Sequence, residues 1–229
     1  AGYQSIYFFT NVHRSESAWV KASFPHVGGR PYFWDPETGE RWKYPYDIDD
    51  SELQIYLPPL KSLLLVFDKN LRRVKPYQAR KNLTQIAELT PEWKVEGEHV
   101  NGQHFQWELT ELSDFALSTD PDQNSFAGKL IYSTTFENQG NIGHLHLGET
   151  HRGITQVRIN GKDAGTNWYG DAVFPISPYL QAGENLLEIT YTTVLANYCL
   201  DLDDPVALNW TKYGEKVPCG MEGPILLMN

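Results

Sequence analysis

The sequence predicts an all-β chain of two sandwich-like halves. Three observations carry that expectation. The 229 residues include seven Trp, thirteen Tyr and ten Phe, with Gly and Pro also frequent, a composition suited to short strands joined by tight turns. Apolar and polar residues alternate in several runs, most cleanly in Leu186-Leu187-Glu188-Ile189-Thr190-Tyr191. Asn160-Gly161 follows the strand-like Val157-Arg158-Ile159, and an Asn-Gly pair supplies the positive φ angles of a two-residue hairpin.

Taken in order, Tyr3 to Asn11 reads as a strand of buried character, and Ser17 to Phe24 as its expected partner across the polar turn Val12 to Glu16. Arg30 to Trp34 is a third strand. It runs into Asp35-Pro36-Glu37-Thr38-Gly39-Glu40, with Pro and Gly where turn geometry wants them. Glu52 to Leu57 and Ser62 to Phe67 follow, punctuated by Pro58 and Pro59.

A basic connector then carries Lys69, Arg72, Arg73, Lys75, Arg80 and Lys81. Such a cluster can hold a phosphate, but a solvated linker is the reading adopted. The resulting division is a small β-sandwich over 1–70, a linker over 71–92 and a second domain over 93–229. In that domain Trp93-Lys94-Val95, His104 to Leu109 and Phe126 to Phe136 read as strands, and Thr110 to Leu117 includes a helical turn. From Leu145 to Val194 the order is strand, short turn, strand, Asn-Gly turn, strand, long loop, strand.

That last order resembles the jelly-roll, galactose-binding-like domain attached to large glycoside hydrolases, namely the family 2 sugar-binding domain and, more closely, family 106 α-L-rhamnosidases. The resemblance rests on Leu145-His146-Leu147-Gly148, the Asn160-to-Gly165 turn, Trp168, Phe174-Pro175-Ile176-Ser177, and Leu180 to Ile189. Phe126 to Phe136 matches the same domain's opening strand. Tyr7 to Asn11 and Trp34 to Gly39 resemble the small β-sandwich that follows the barrel in such enzymes. The resemblance implies an accessory region whose parent enzyme keeps its catalytic carboxylates in a separate barrel, upstream of residue 1. It implies no catalytic residue here. The parent would be secreted, periplasmic or extracellular.

Asn197 and Gly220-Met221-Glu222-Gly223-Pro224 also fit the family pattern, whereas Tyr198 to Asp201 and Cys219 depart from it. These departures put the two cysteines of the chain on one loop, whose ends should be close. A Cys199–Cys219 disulfide is therefore expected, against the alternative of two independent buried thiols.

Candidate chemistry is sparse. Glu88, Glu92, Glu96, Glu98, Glu108 and Glu111 offer carboxylates, but none stands in a recognisable glycosidase motif, so they read as surface charges. Asp120-Pro121-Asp122-Gln123-Asn124-Ser125 opens like a calcium loop. It lacks Gly at the sixth place and Glu at the twelfth, where Ile131 stands. Asp47-Ile48-Asp49-Asp50 and Asp201-Leu202-Asp203-Asp204 are oxygen-rich too. No cofactor is expected beyond a structural Ca²⁺ that the resemblance allows. His144 and His146 share a strand face, with His151 in the loop beyond, but no further His or Cys at a matched spacing completes a zinc site.

No nucleophile elbow, Walker loop or dinucleotide fingerprint occurs. A net charge of −10 disfavours nucleic acid and anionic membranes as partners. No run of 18 apolar residues suggests a membrane helix. The chain opens almost directly on a strand, without a charged-then-apolar leader, so a larger protein is expected upstream and any signal peptide absent or removed. Asn82 and Asn209 stand in N-x-T sequons.

The remaining candidate is Asn167-Trp168-Tyr169-Gly170-Asp171: two aromatics beside an amide and a carboxylate, the make-up of a sugar-stacking loop. Its alternative is domain-bridging packing, with at least one ring left partly exposed. The expected partners are the upstream catalytic barrel of the same polypeptide and glycans. The function read from the sequence is a non-catalytic accessory portion of a larger α-L-rhamnosidase-like hydrolase; the alternative is an independent carbohydrate-binding module.

Overall fold

The computed structural model describes residues 4–13, 16–25, 27–36, 38–45, 52–77, 83–138 and 140–229. The Asp47–Asp50 cluster, Arg80, Lys81 and the Asn82 sequon lie outside them. The fold is all-β and antiparallel, and the chain divides into two units, Ala1–Asn82 and Leu83–Asn229.

In the first unit the strands are β1 (Ser5–Thr10), β2 (Ala18–Ser23), β3 (Arg30–Trp34), β4 (Arg41–Lys43), β5 (Glu52–Leu57) and β6 (Ser62–Asp68). β6 reads Leu63-Leu64-Leu65-Val66-Phe67, an unbroken apolar run that suits a strand with neighbours on both sides and packing on both faces. It pairs with β1 and β3 in a sheet ordered β1-β6-β3-β4, and β2 pairs with β5. The expected β1–β2 pairing is thus replaced by two long-range ones, Tyr7 opposite Leu65 and Val20 opposite Ile55. The core holds Leu53, Ile55 and Leu57 of β5 and Leu63, Leu65 and Phe67 of β6, with Tyr7, Phe9, Phe24 and Phe33 against it.

Both motifs of this unit have local explanations. The Asn11 side chain donates to Glu16 O at 2.7 Å and Leu57 O at 3.1 Å and accepts from His13 N at 3.0 Å, securing the end of β1. At the Trp34-to-Gly39 turn, Gly39 has φ 72° and donates to Asp35 O, while the Thr38 hydroxyl donates to the Asp35 carboxylate at 2.9 Å. Glycine meets that left-handed angle without steric cost.

Part of the stretch expected to be linker is structured. Tyr32 donates to Leu71 O at 2.6 Å, Lys43 N donates to Lys75 O, and Tyr77 stacks on Tyr44. Gln85–Leu89 forms β7, already a strand of the second unit. Backbone groups that find partners in a sheet cannot serve as a free connector.

The second unit continues with β8 (Trp93–His99), β9 (His104–Leu109), a 3₁₀ turn at Phe115–Leu117, α1 (Pro121–Asn124), β10 (Gly128–Asn138), β11 (His144–His146), β12 (Ile154–Ile159), β13 (Lys162–Asn167) and β14 (Val173–Pro175). After a 3₁₀ turn at Ser177–Tyr179 come β15 (Gly183–Thr192), α2 (Ala196–Asp201), α3 (Pro205–Thr211) and β16 (Ile225–Met228). One sheet runs β13-β12-β15-β10-β8-β9 and the other β14-β11-β16-β7. Alternation aims one face of each at a shared core: Leu130 and Tyr132, Val157 and Ile159, Leu187, Ile189 and Tyr191 from the first, Leu145, Phe174, Ile225 and Leu227 from the second. This is a β-sandwich.

Candidate functional site

The register places the strand ends of the six-stranded sheet in two groups. At one end lie the Asn160-Gly161 turn and the start of β15. At the other, Ile154 opposes Thr192, Thr155 opposes Asn167, and Gly128 opposes His99. That second end therefore gathers the loop after β13, the loop before β12, the β8–β9 turn and the excursion after β15. Most of the unit's exposed large apolar side chains among the described residues are here: Val100, Ile154, Trp168, Val194, Leu195, Val206, Leu208, Trp210 and Tyr213.

The loop after β13 carries the chain from one sheet to the other. Asn167 donates through its amide to Tyr169 O at 3.0 Å and Asp171 O at 3.2 Å. Gly170 turns at φ 65°, and Leu147 N donates to Ala172 O at 2.9 Å. With its shape set this way, the loop leaves Trp168 62% exposed. Tyr169 is half-buried and meets the indole edge-on, ring centroids 4.4 Å apart. Asn167, Trp168, Tyr169 and Asp171 are thus together, but not as four free sugar-binding groups. Both of these amide contacts of Asn167 go to backbone. What the loop offers is one large aromatic face held by its own backbone network, an arrangement that lowers the entropic cost of binding.

Nearby, His151 Nε2 lies 3.1 Å from Glu222 Oε2, with the imidazole largely covered. Sequence reading left both residues without a role. Glu149 and Glu222 bridge through their backbones, which brings the two loops together. Glu222, Glu88 and Glu111 also border a groove of about 570 Å³ against Trp93. The six glutamates considered above are all exposed.

The acidic clusters work as caps. Asp120 accepts from Asp122 N at 3.0 Å at the start of α1 and from the Trp107 indole at 3.3 Å. Asp204 caps α3 through Val206 N and Ala207 N, both at 2.9 Å, and Asp201 pairs with Lys216 at 2.7 Å. A carboxylate at an N-cap satisfies otherwise unpaired N–H groups. Among the described residues no three His, Cys, Asp or Glu side chains are grouped so as to hold a metal. His144 and His146 are half-buried on β11.

The expected disulfide is absent: both cysteines are free. Cys219 is buried in the core, its N–H donating to Asp114 Oδ1 at 2.8 Å and its thiol directed at Phe126 O, whereas Cys199 sits half-buried on α2. The loop between them is closed by other means. Buried Asn197 donates to Val217 O at 2.8 Å and accepts from Val217 N at 2.9 Å. Burial, then the Asp114 charge, pushes the Cys219 thiol up to about 12, partly offset by the Gly220 N–H.

No family model matches the chain, and no curated protein does. Among solved structures, a rhamnosidase from Novosphingobium sp. PP1Y is similar over 97% of this chain and 22% of its own, at 27% identity and a TM-score of 0.78. A β-D-glucuronidase from Dictyoglomus thermophilum is similar over 66% of this chain and 29% of its own, at 15% identity and a TM-score of 0.43. A Ruminococcus gnavus β-glucuronidase is similar over 51% and 23%, at 18% identity and 0.39. The chain therefore spans less than a third of the length of each. It is a β-rich region related in structure to a glycoside hydrolase.

Proposed function

We propose that this chain is a non-catalytic accessory portion of a longer glycoside hydrolase similar to the family 106 α-L-rhamnosidases. Its second unit is read as the galactose-binding-like jelly roll of that family and its first as the small β-sandwich before it. The observation that carries this reading is the match to the rhamnosidase, which takes in nearly all of this chain and under a quarter of that one. The proposed role is support of a catalytic barrel on the same polypeptide. Secretion to the periplasm or the cell exterior fits an enzyme acting on external glycans. The six exposed glutamates, lacking a motif and a shared enclosed site, agree with chemistry done elsewhere.

The test compares this chain with the full-length product of its gene on aryl α-L-rhamnosides. Nitrophenol release by the longer polypeptide and none by the 229 residues alone is the expected result. Release by the short chain that is lost on replacing one of its own glutamates would refute the accessory reading.

A second reading, a carbohydrate-binding module, is favoured by one feature: the exposed indole of Trp168, on a loop that Asn167 holds. Stacking on a sugar ring would give weak glycan affinity that Trp168→Ala abolishes. Affinity electrophoresis in gels cast with soluble polysaccharides tests it, and unretarded migration of the wild-type chain in all of them counts against it.

A further inference from the structure

We propose that the outward face of α3, from Val206 to Tyr213, is a protein-docking surface whose occupant is the catalytic portion of the same polypeptide. This rests on the accessory reading above and names the surface through which it operates. The first ground is that α3 packs weakly, with only Ala207 and Thr211 half-buried. Its seven residues include no buried side chain, and a helix this short is marginal in water without packing on a neighbour. Its apolar residues nevertheless face solvent: Val206 is 67% exposed, Trp210 86% and, just beyond the helix, Tyr213 89%, with Leu208 also exposed.

The second ground is that the surface is held in place. Asp204 caps the helix, and the Thr211 hydroxyl donates to Ala207 O at 2.9 Å. Asn197 and Val217 close the base of the excursion, and Lys216 ties Asp201 to Asn124. Gly214 lies against Leu200, where a Cβ would come within 2.9 Å of its side chain. An excursion fixed at its base by polar contacts, with its outer residues apolar, is organised for a partner.

The third ground is the chemistry of that face. Val206, Trp210 and Tyr213, spaced i, i+4 and i+7, form its exposed apolar stripe, and exposed Asp203, Asp204, Lys212 and Glu215 neighbour it in sequence. An apolar centre with Trp and Tyr inside a charged rim is the anatomy of a protein interface. The similar rhamnosidase has most of its length outside the match, so a hydrolase of that build has a large body of its own chain to cover such a patch.

Hydroxyl-radical footprinting read by mass spectrometry tests this on the 229-residue chain and on the full-length gene product. Oxidation of Trp210 and Tyr213 is expected to fall several-fold in the longer polypeptide. Unchanged oxidation in a longer polypeptide that hydrolyses aryl glycosides overturns the docking surface and leaves the hydrolase reading standing. Protection without glycosidase activity removes the hydrolase reading and leaves an intramolecular docking surface. A gene product no longer than this chain removes both. Protection of the short chain that grows with its own concentration, alongside dimers in sedimentation, overturns the proposal in favour of a second copy. The double variant Val206→Ser, Trp210→Ala supplies an independent readout. It should shift the melting midpoint of the short chain by less than about 1 °C, because the side chains are exposed there. In the longer polypeptide it should lower the midpoint by about 3 °C or more. Equal shifts in the two contradict docking.

Discussion

The two ends of the second unit's sandwich are built on opposite plans. At the Asn160-Gly161 end, polar side chains are turned inward on the backbone. Asn185, 1% exposed, accepts from Gln181 N and the Asn160 amide, each at 2.9 Å, and donates to Gln181 O and Gly183 O at 3.0 and 2.8 Å. Asn160 in turn donates to Tyr179 O and accepts from Leu186 N. That end is closed by its own turns. The opposite end carries the loop with Trp168 and a long excursion with Trp210 and Tyr213, all three in solvent. The contrast teaches that the turns needed to close this sandwich require no exposed aromatic. The aromatics at the open end are left in solvent, which is why the function is sought there.

The contrast breaks first at Asn185. Asn185→Ala strands several buried donors and acceptors at once, and urea unfolding should show a loss of about 3 kcal/mol. A loss no greater than that of an open-end substitution would show that the closed end is not held by its polar network.

Next in size is the alkaline response of Cys219, which lies beneath the open end. Its thiol titrates near 9 when unfolded and is pushed up to about 12 when folded. Between those values the unfolded chain binds fewer protons than the folded one, so stability falls as pH rises. The contribution is intact below about pH 9, and its loss steepens toward about 1.4 kcal/mol per pH unit. Cys219→Ala should flatten that slope in urea titrations run across the window. The same burial predicts one reactive thiol per native chain at pH 8, on Cys199, and two in denaturant without reductant. Two unreactive cysteines in denaturant would restore the disulfide.

A smaller effect is expected at Gly161, where φ is 75°. Gly161→Ala should cost about 1 kcal/mol, because only glycine meets that angle freely. Smallest of all, Trp168→Ala and Trp210→Ala should each leave the stability of the chain within about 0.5 kcal/mol of wild type. A cost of several kcal/mol at either position would make that ring part of the core and erase the difference between the two ends.

Local chemistry was legible in the residues themselves. The Asn160-Gly161 hairpin appears as read, with φ of 52° and 75°. β15 alternates as its sequence does, Leu187, Ile189 and Tyr191 inward. Trp168 of the aromatic loop is exposed, as expected of one of the pair. Harder to see was α3 itself. Proline at its start and Asp204 before it are capping signals, but the acidic run Asp201 to Asp204 also reads as an oxygen-rich cluster. His151 and Glu222 lie 71 positions apart and carry no sequence signal of their meeting.

What the sequence determined alone was whatever depends on a residue and its immediate neighbours: the strand periodicity, the turns that need Gly or Asn, and hence the all-β class. Backbone angles are set by sterics within a few residues, so they can be read there. What only the tertiary structure decided was who meets whom. β1 takes β6 and not β2, residues 71–77 join the first unit, and Cys219 enters a core while Cys199 stays on a helix. A strand presents the same row of N–H and C=O groups to any neighbour. The choice among them rests on burial summed over distant residues, which no short stretch of chain contains.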